Sequence, residues 1–154
     1  MTVTQQQKPS ESCVYCSVPL IRLRAIFQDE LVWAFPTNIP ITPGHTLISP
    51  VRCTPSLDQL SDEERTALLA AAQRIMVALR TSHKAEGFNC VWNEGRLAGQ
   101  SVPHLHLHVI PRKEGDTGLL GYDPRSMLYR TGEREPTREE ELLTIRDAIR
   151  EALL

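Results

Sequence analysis

Three histidines, His104, His106 and His108, alternate with Leu105, Leu107 and Val109. Strict alternation is the period of a β-strand, in which every second side chain faces the same way. The spacing therefore predicts a strand with three imidazoles on one face and three aliphatic side chains entering the core from the other. Pro103 and Pro111 suit the ends of such a strand, because proline cannot donate to an interior ladder. Packing alone explains such a face poorly, since apolar or inert polar side chains would pack as well. His83 stands alone and reads as an ordinary surface or satisfied core residue. Residue type leaves two chemistries open for the triple. One is a catalytic metal site with two or three histidine ligands. The other is nucleophilic catalysis by an imidazole whose neighbours set its tautomer and charge.

Cys13 and Cys16 form a Cys-x-x-Cys pair. Such a pair is inert, a redox dithiol, or half of a zinc site. A redox dithiol belongs at a helix start after a strand, and no strand precedes this one. Zinc requires two further soft or borderline ligands. Just before the histidines, Gly95 and Gly99 lie in a turn-rich loop ending in Gln100 and Ser101. Glycine allows backbone N–H groups to approach an anion closely, so a phosphate-binding loop is expected there. No Gly-x-x-x-x-Gly-Lys-Ser/Thr segment occurs, which excludes a P-loop protein.

The elements that must hold these residues are legible in outline. Residues 1–12 are rich in Thr, Gln and Ser and are expected to be a disordered tail. Residues 21–28 and 31–35 read as a hairpin turning at Asp29-Glu30. Residues 36–44 are dense in turn formers and deliver a strand over 45–51. Ser61-Asp-Glu-Glu64 has the form of a capping box, and Leu68, Ala72, Ile75 and Leu79 make one apolar stripe behind it. That helix should end near Lys84, before a strand over 88–93. After Arg112 comes a long loop carrying Tyr122 and Tyr129, which is either functional or mobile. Thr137-Arg-Glu-Glu140 resembles another capping box, with Leu142, Ile145, Ile149 and Leu153 striping a final helix. Strands interrupted by one long helix suggest an α+β fold with an antiparallel sheet, one long helix packed on it and a C-terminal helix.

A chain of 154 residues is one domain by length and can bury a real core. Its net charge of −2 gives no general attraction to nucleic acid or membranes. No apolar run approaches the roughly 20 residues of a membrane span, and the polar N-terminus lacks the core of a signal peptide. A cytoplasmic protein is expected. The four cysteines do not demand disulfides, and Cys53 and Cys90 sit in strand-like apolar surroundings.

His104-Leu-His106-Leu-His108-Val-Ile, preceded by Gly99-Gln100-Ser101-Val102, resembles the signature of the histidine triad (HIT) nucleotide hydrolases and transferases. Pro43-Gly44-His45-Thr46-Leu47-Ile48-Ser49-Pro50 resembles that family's second segment. The likeness spans about residues 13–112, which makes those residues the domain core and 113–154 its C-terminal loop and helix. It implies a HIT-like fold and a homodimer. It also implies that the middle histidine, His106, attacks the α-phosphorus of a nucleotide and forms a nucleotidyl-histidine. In this scheme His108 assists the leaving group, His104 orients the array, and Asn93, Gln100 and Ser101 contact phosphate or the leaving group. In related proteins an acidic or amide side chain after the second strand bonds the ribose; Thr37 takes that place here, with Asn38 beside it. In zinc-containing members a cysteine pair joins the Pro-Gly-His histidine and the first triad histidine, which implies structural zinc on Cys13, Cys16, His45 and His104. A divalent cation such as magnesium could accompany the substrate.

Residues 110–116 look most like the dinucleoside polyphosphate hydrolase (fragile histidine triad) branch, which would release a nucleoside monophosphate. In that branch Tyr129 could match a regulatory tail tyrosine, although a solvated loop residue is the simpler reading. Three alternatives stay open: a purine nucleoside phosphoramidase of the same family, a zinc-dependent hydrolase, and a nucleotide-binding protein without turnover.

Overall fold

The structure, a computed structural model, describes residues 13–116 and 136–154. The expected tail over 1–12, Tyr122 and Tyr129 lie outside the described residues. Two short helices, α1 (Val14–Ser17) and α2 (Pro19–Leu23), precede the strands β1 (Phe27–Gln28), β2 (Val32–Pro36) and β3 (Thr46–Pro50). The long helix α3 (Asp62–Ser82), strands β4 (Gly87–Val91) and β5 (Leu107–Arg112), and helix α4 (Glu139–Glu151) follow. The strands form one antiparallel sheet in the order β1-β2-β3-β5-β4. No helix among the described residues is long and apolar enough to cross a membrane.

Strand alternation divides the side chains between two cores. Val32, Ala34, Ile48, Leu105, Leu107 and Val109 pack with Leu68, Ala72, Ile75 and Leu79 of α3 and Ile149 of α4. Trp33, Phe35 and Leu47 point to the opposite face, where Cys13 and Tyr15 cover them. Full burial of one such aliphatic side chain stabilises by roughly 1.5–3 kcal/mol. The capping box of α3 forms as its sequence predicts: Glu64 N–H donates to Ser61 Oγ, and Ser61 N–H donates back to Glu64 Oε2 at 2.8 Å.

Four expectations need correction. Residues 19–23 are helical, not strand, because Pro19 occupies the first turn and leaves only Phe27–Gln28 to pair with β2. The hairpin turn itself forms, with Asp29 Oδ1 accepting from the N–H groups of Leu31 and Val32. The histidine strand starts at Leu107, so only His108 of the three lies in the ladder. Pro111 lies within β5 instead of ending it; β3 pairs with β5 only as far as Val109, and the Pro111 carbonyl accepts from Thr42 Oγ1 at 2.7 Å. The second capping box does not form: α4 starts at Glu139 without a side-chain cap, and Thr137 N–H donates instead to Asn38 O at 2.6 Å.

Candidate active site

The face of the sheet opposite α3 carries a groove of about 650 Å³. Cross-strand register explains its floor. Val91, His108, Leu47 and Phe35 are consecutive partners across β4, β5, β3 and β2, and all four line the groove. His106 lies one step along on the same face, buried at 5 % exposure beneath the edge of the Tyr15 ring. Its Nδ1 is 2.8 Å from the His104 carbonyl. A carbonyl only accepts, so Nδ1 carries the proton and the lone pair is on Nε2.

A second chain of bonds fixes His108. The Ile41 backbone N–H donates to Nδ1 of His45 at 3.1 Å, which leaves the His45 proton on Nε2. That Nε2 lies 2.9 Å from Nδ1 of His108. His45 is therefore the donor and His108 Nδ1 the acceptor, and neutral His108 carries its own proton on Nε2. The groove thus holds two imidazoles of opposite tautomer, ring centroids 4.9 Å apart. In the neutral rings His106 carries its lone pair on Nε2 and His108 its proton on Nε2.

His104 serves elsewhere. It is fully buried; its Nε2 donates to Pro50 O at 2.8 Å, and its Nδ1 faces Cys13 Sγ at 3.3 Å and Cys16 Sγ at 3.5 Å. Burial pushes its imidazole down to about 4, with the nearby Arg22 and His106 acting in the same direction and the Pro50 bond opposing. At neutral pH His104 is uncharged, the form that binds a metal. Cys53 completes the cluster, and the four donor atoms lie within 4.8 Å of one another. The cluster differs from the expected ligand set at one place: Cys53 lies beside Cys13, Cys16 and His104, while both nitrogens of the expected His45 are engaged with Ile41 and His108.

The donor set fits zinc. Bonds of about 2.3 Å to sulfur and about 2.0 Å to nitrogen give a tetrahedral S–N edge of roughly 3.5 Å, close to both Cys–His104 distances. Burial and the adjoining Cys13 and Cys53 sulfurs push the Cys16 thiol up to about 12. A cation is the means by which such a crowd of sulfurs ionises together. Cys13, Cys16, Cys53 and His104 would hold it, and with four protein ligands it would act as a clamp between α1, the end of β3 and the histidine segment.

Of the other predicted residues, Thr37, Asn38, Asn93 and Ser101 line the groove. Gln100 does not. Its Nε2 donates to Pro55 O and its Oε1 accepts from Gly95 N–H, both at 2.7 Å. The loop amides are similarly engaged: those of Ala98 and Gln100 go to Gly95 O, and that of Gly99 to Arg96 O. The expected open cradle of loop N–H groups is therefore closed on itself, although Gly95 and Gly99 do adopt positive φ of 82° and 88°.

The sequence reading missed Cys53, Tyr15 and Arg24. Cys53 carries no spacing signal. It is delivered by pairing outside the ladder, where Leu105 N–H donates to Thr54 O at 2.6 Å.

Comparison with known proteins identifies the family. The family model for the HIT domain matches residues 20–115. The chain is 36 % identical over 126 residues to a bis(5'-adenosyl)-triphosphatase of Dictyostelium discoideum, covering 80 % of this chain and 81 % of that one. Among solved structures, a Zn-bound histidine triad family protein of Mycobacterium smegmatis is 35 % identical with a TM-score of 0.67, covering 90 % of this chain and 93 % of that one. A Hit-like protein from Bartonella henselae, described as involved in cell-cycle regulation, superposes with a TM-score of 0.74 at 27 % identity, covering 95 % of this chain and 99 % of that one. The expected HIT-like α+β fold is the one observed, and the chain belongs to the HIT domain family.

Proposed function

We propose that the protein is a nucleotide hydrolase that cleaves dinucleoside polyphosphates at the α-phosphate through a nucleotidyl-His106 intermediate. The observation that carries this reading is the bond from His106 Nδ1–H to the His104 carbonyl at 2.8 Å. It fixes the proton on Nδ1 and so places the lone pair of the neutral ring on Nε2, which is the atom that attack on phosphorus requires. The bis(5'-adenosyl)-triphosphatase among its relatives supports the substrate class.

In the first step His106 Nε2 forms a bond to the α-phosphorus while the bond from phosphorus to the bridging oxygen breaks. His108 Nε2–H donates a hydrogen bond to that oxygen and stabilises the charge that develops on it, and the leaving nucleotide departs as an anion. In the second step water attacks the same phosphorus, the N–P bond breaks to restore the His106 Nε2 lone pair, and the water's proton passes to solvent. One diadenosine triphosphate and one water yield AMP and ADP, and both imidazoles return to their starting tautomers. Ser101 and Asn93 line the groove on the β4 side, where they would contact the leaving group. Thr37 and Asn38 lie toward the other end, where they would contact the nucleoside. Zinc on the cysteine cluster would hold His104, and with it the carbonyl that orients His106.

Incubation with diadenosine triphosphate in ¹⁸O-labelled water tests this. The expected result is AMP carrying the label, with turnover abolished in His106→Ala. Undiminished turnover in that variant would overturn the mechanism. A second substrate, adenosine phosphoramidate, separates the branches: cleavage of it alone would move the reading to a phosphoramidase.

A further inference from the structure

The groove crosses the sheet at right angles to the strands. Neighbouring strands lie about 4.8 Å apart, so Phe35 on β2 sits roughly 10 Å from His108 on β5. Between and beyond them the walls are apolar: Leu47, Phe35, Val18, Ile21 and Ile39. A nucleotide with its phosphorus at His106 would lay its base against this end. Among the described residues one Lys or Arg side chain lines the groove here, Arg24. Its side chain is 12 % exposed and is gripped by Glu139, with Nε donating at 2.9 Å to Oε1 and Nη2 at 2.5 Å to Oε2. No described residue accepts from its Nη1. Glu139 lies in the first turn of α4, where the helix dipole favours a carboxylate. The Thr137–Asn38 backbone bond seats the start of α4 at the same end of the groove.

We infer that Arg24, charge-balanced by Glu139, is a specificity-determining residue that donates from Nη1 to an acceptor on the nucleobase. The inference rests on the nucleotide reading above. Balanced charge is the deciding point. A guanidinium already paired with a carboxylate gains little from a phosphate, but its remaining N–H groups still require an acceptor when the groove is filled and water leaves. A base ring nitrogen or carbonyl is such an acceptor and is neutral. Arg24 so placed would prefer ligands that carry a base over those that end at the ribose, and α4 would set base recognition from 115 residues away in the chain.

The test is calorimetric titration of AMP and of ribose 5-phosphate into wild type, Arg24→Met and Arg24→Lys, with turnover of diadenosine triphosphate measured alongside. Arg24→Lys keeps a cation against Glu139 and so keeps the fold, but lacks the second arm of the fork. Both variants should bind AMP about 10-fold more weakly, a loss of about 1.4 kcal/mol, and ribose 5-phosphate as wild type does. Equal weakening of both ligands would make Arg24 a structural anchor only and overturn the inference, as would unchanged AMP affinity. In those cases His106-dependent turnover by wild type would leave the hydrolase reading standing. Wild type that neither binds AMP nor turns over the dinucleotide would sink both.

Discussion

His45 donates from Nε2 to Nδ1 of His108 across 2.9 Å, and this one bond decides which nitrogen of His108 carries a proton. The bond exists because register pairs Leu47 with His108, and because the Ile41 amide occupies the other His45 nitrogen. Removing the ring should free the His108 tautomer without touching the nucleophile. His45→Ala should lower kcat by roughly 10²-fold, the scale of a positioned hydrogen-bond donor, with KM little changed. Steady-state kinetics on diadenosine triphosphate measure this. A change in KM alone would place His45 in substrate binding instead.

The same residue separates the two possible zinc ligand sets. Metal analysis of purified protein should give one zinc per chain in wild type and in His45→Ala. Cys53→Ser should bind substoichiometric zinc and melt at a lower temperature, since one of four donors is weakened. Loss of zinc from His45→Ala, with retention in Cys53→Ser, would restore the ligand set expected from sequence.

Glu64 links the start of α3 to the chain after β3. It closes the capping box and accepts from Arg52 Nε at 2.9 Å and Nη2 at 2.7 Å. The Arg52 bonds, helped by the Ser61 amide and opposed by partial burial, hold its carboxyl below the usual value of 4.5. A depressed folded-state value means the stabilisation is fully present above about pH 4.5 and is lost as pH falls through the folded value. Glu64→Gln should therefore cost about 1–2 kcal/mol at pH 7 and progressively less below pH 4.5. Urea melts at several pH values check the convergence; parallel curves would show that the charge contributes nothing.

Gly44 has φ of +89°, and a Cβ there would meet the His83 ring at 2.8 Å. Gly44→Ala should destabilise by about 1–3 kcal/mol, from the backbone conformation and the contact together. Because Gly44 delivers His45 and β3, thermal melting and kcat should fall together. An unchanged melting temperature would mean that His83 moves aside freely.

Much of the fold was legible because the relevant forces are local. Alternation placed Leu105, Leu107 and Val109 in the core opposite the histidines, and Ser61 with Glu64 marked the start of α3. Those readings hold because strand pleat and helix capping involve neighbours a few residues apart. Local rules failed where distant partners compete. Pro19 turned an apolar stretch into helix α2, and Thr137 bonded Asn38 in place of capping its helix. Gln100 turned from the groove to Gly95 of its own loop and to Pro55, 45 residues away.

The sequence by itself determined that this chain carries an alternating histidine array and a cysteine pair, since residue types and short spacings are enough for that, and the resemblance to the HIT family added the expected sheet. Only the tertiary structure decided that His104 belongs to the sulfur cluster while His106 and His108 belong to the groove. It also decided that Cys53, not His45, lies beside Cys13, Cys16 and His104, and that Arg24 meets Glu139. The physical reason is common to all of these. A donor atom's partner depends on strand register and on which ring nitrogen already has a bond, and both are settled between segments that the linear order keeps far apart.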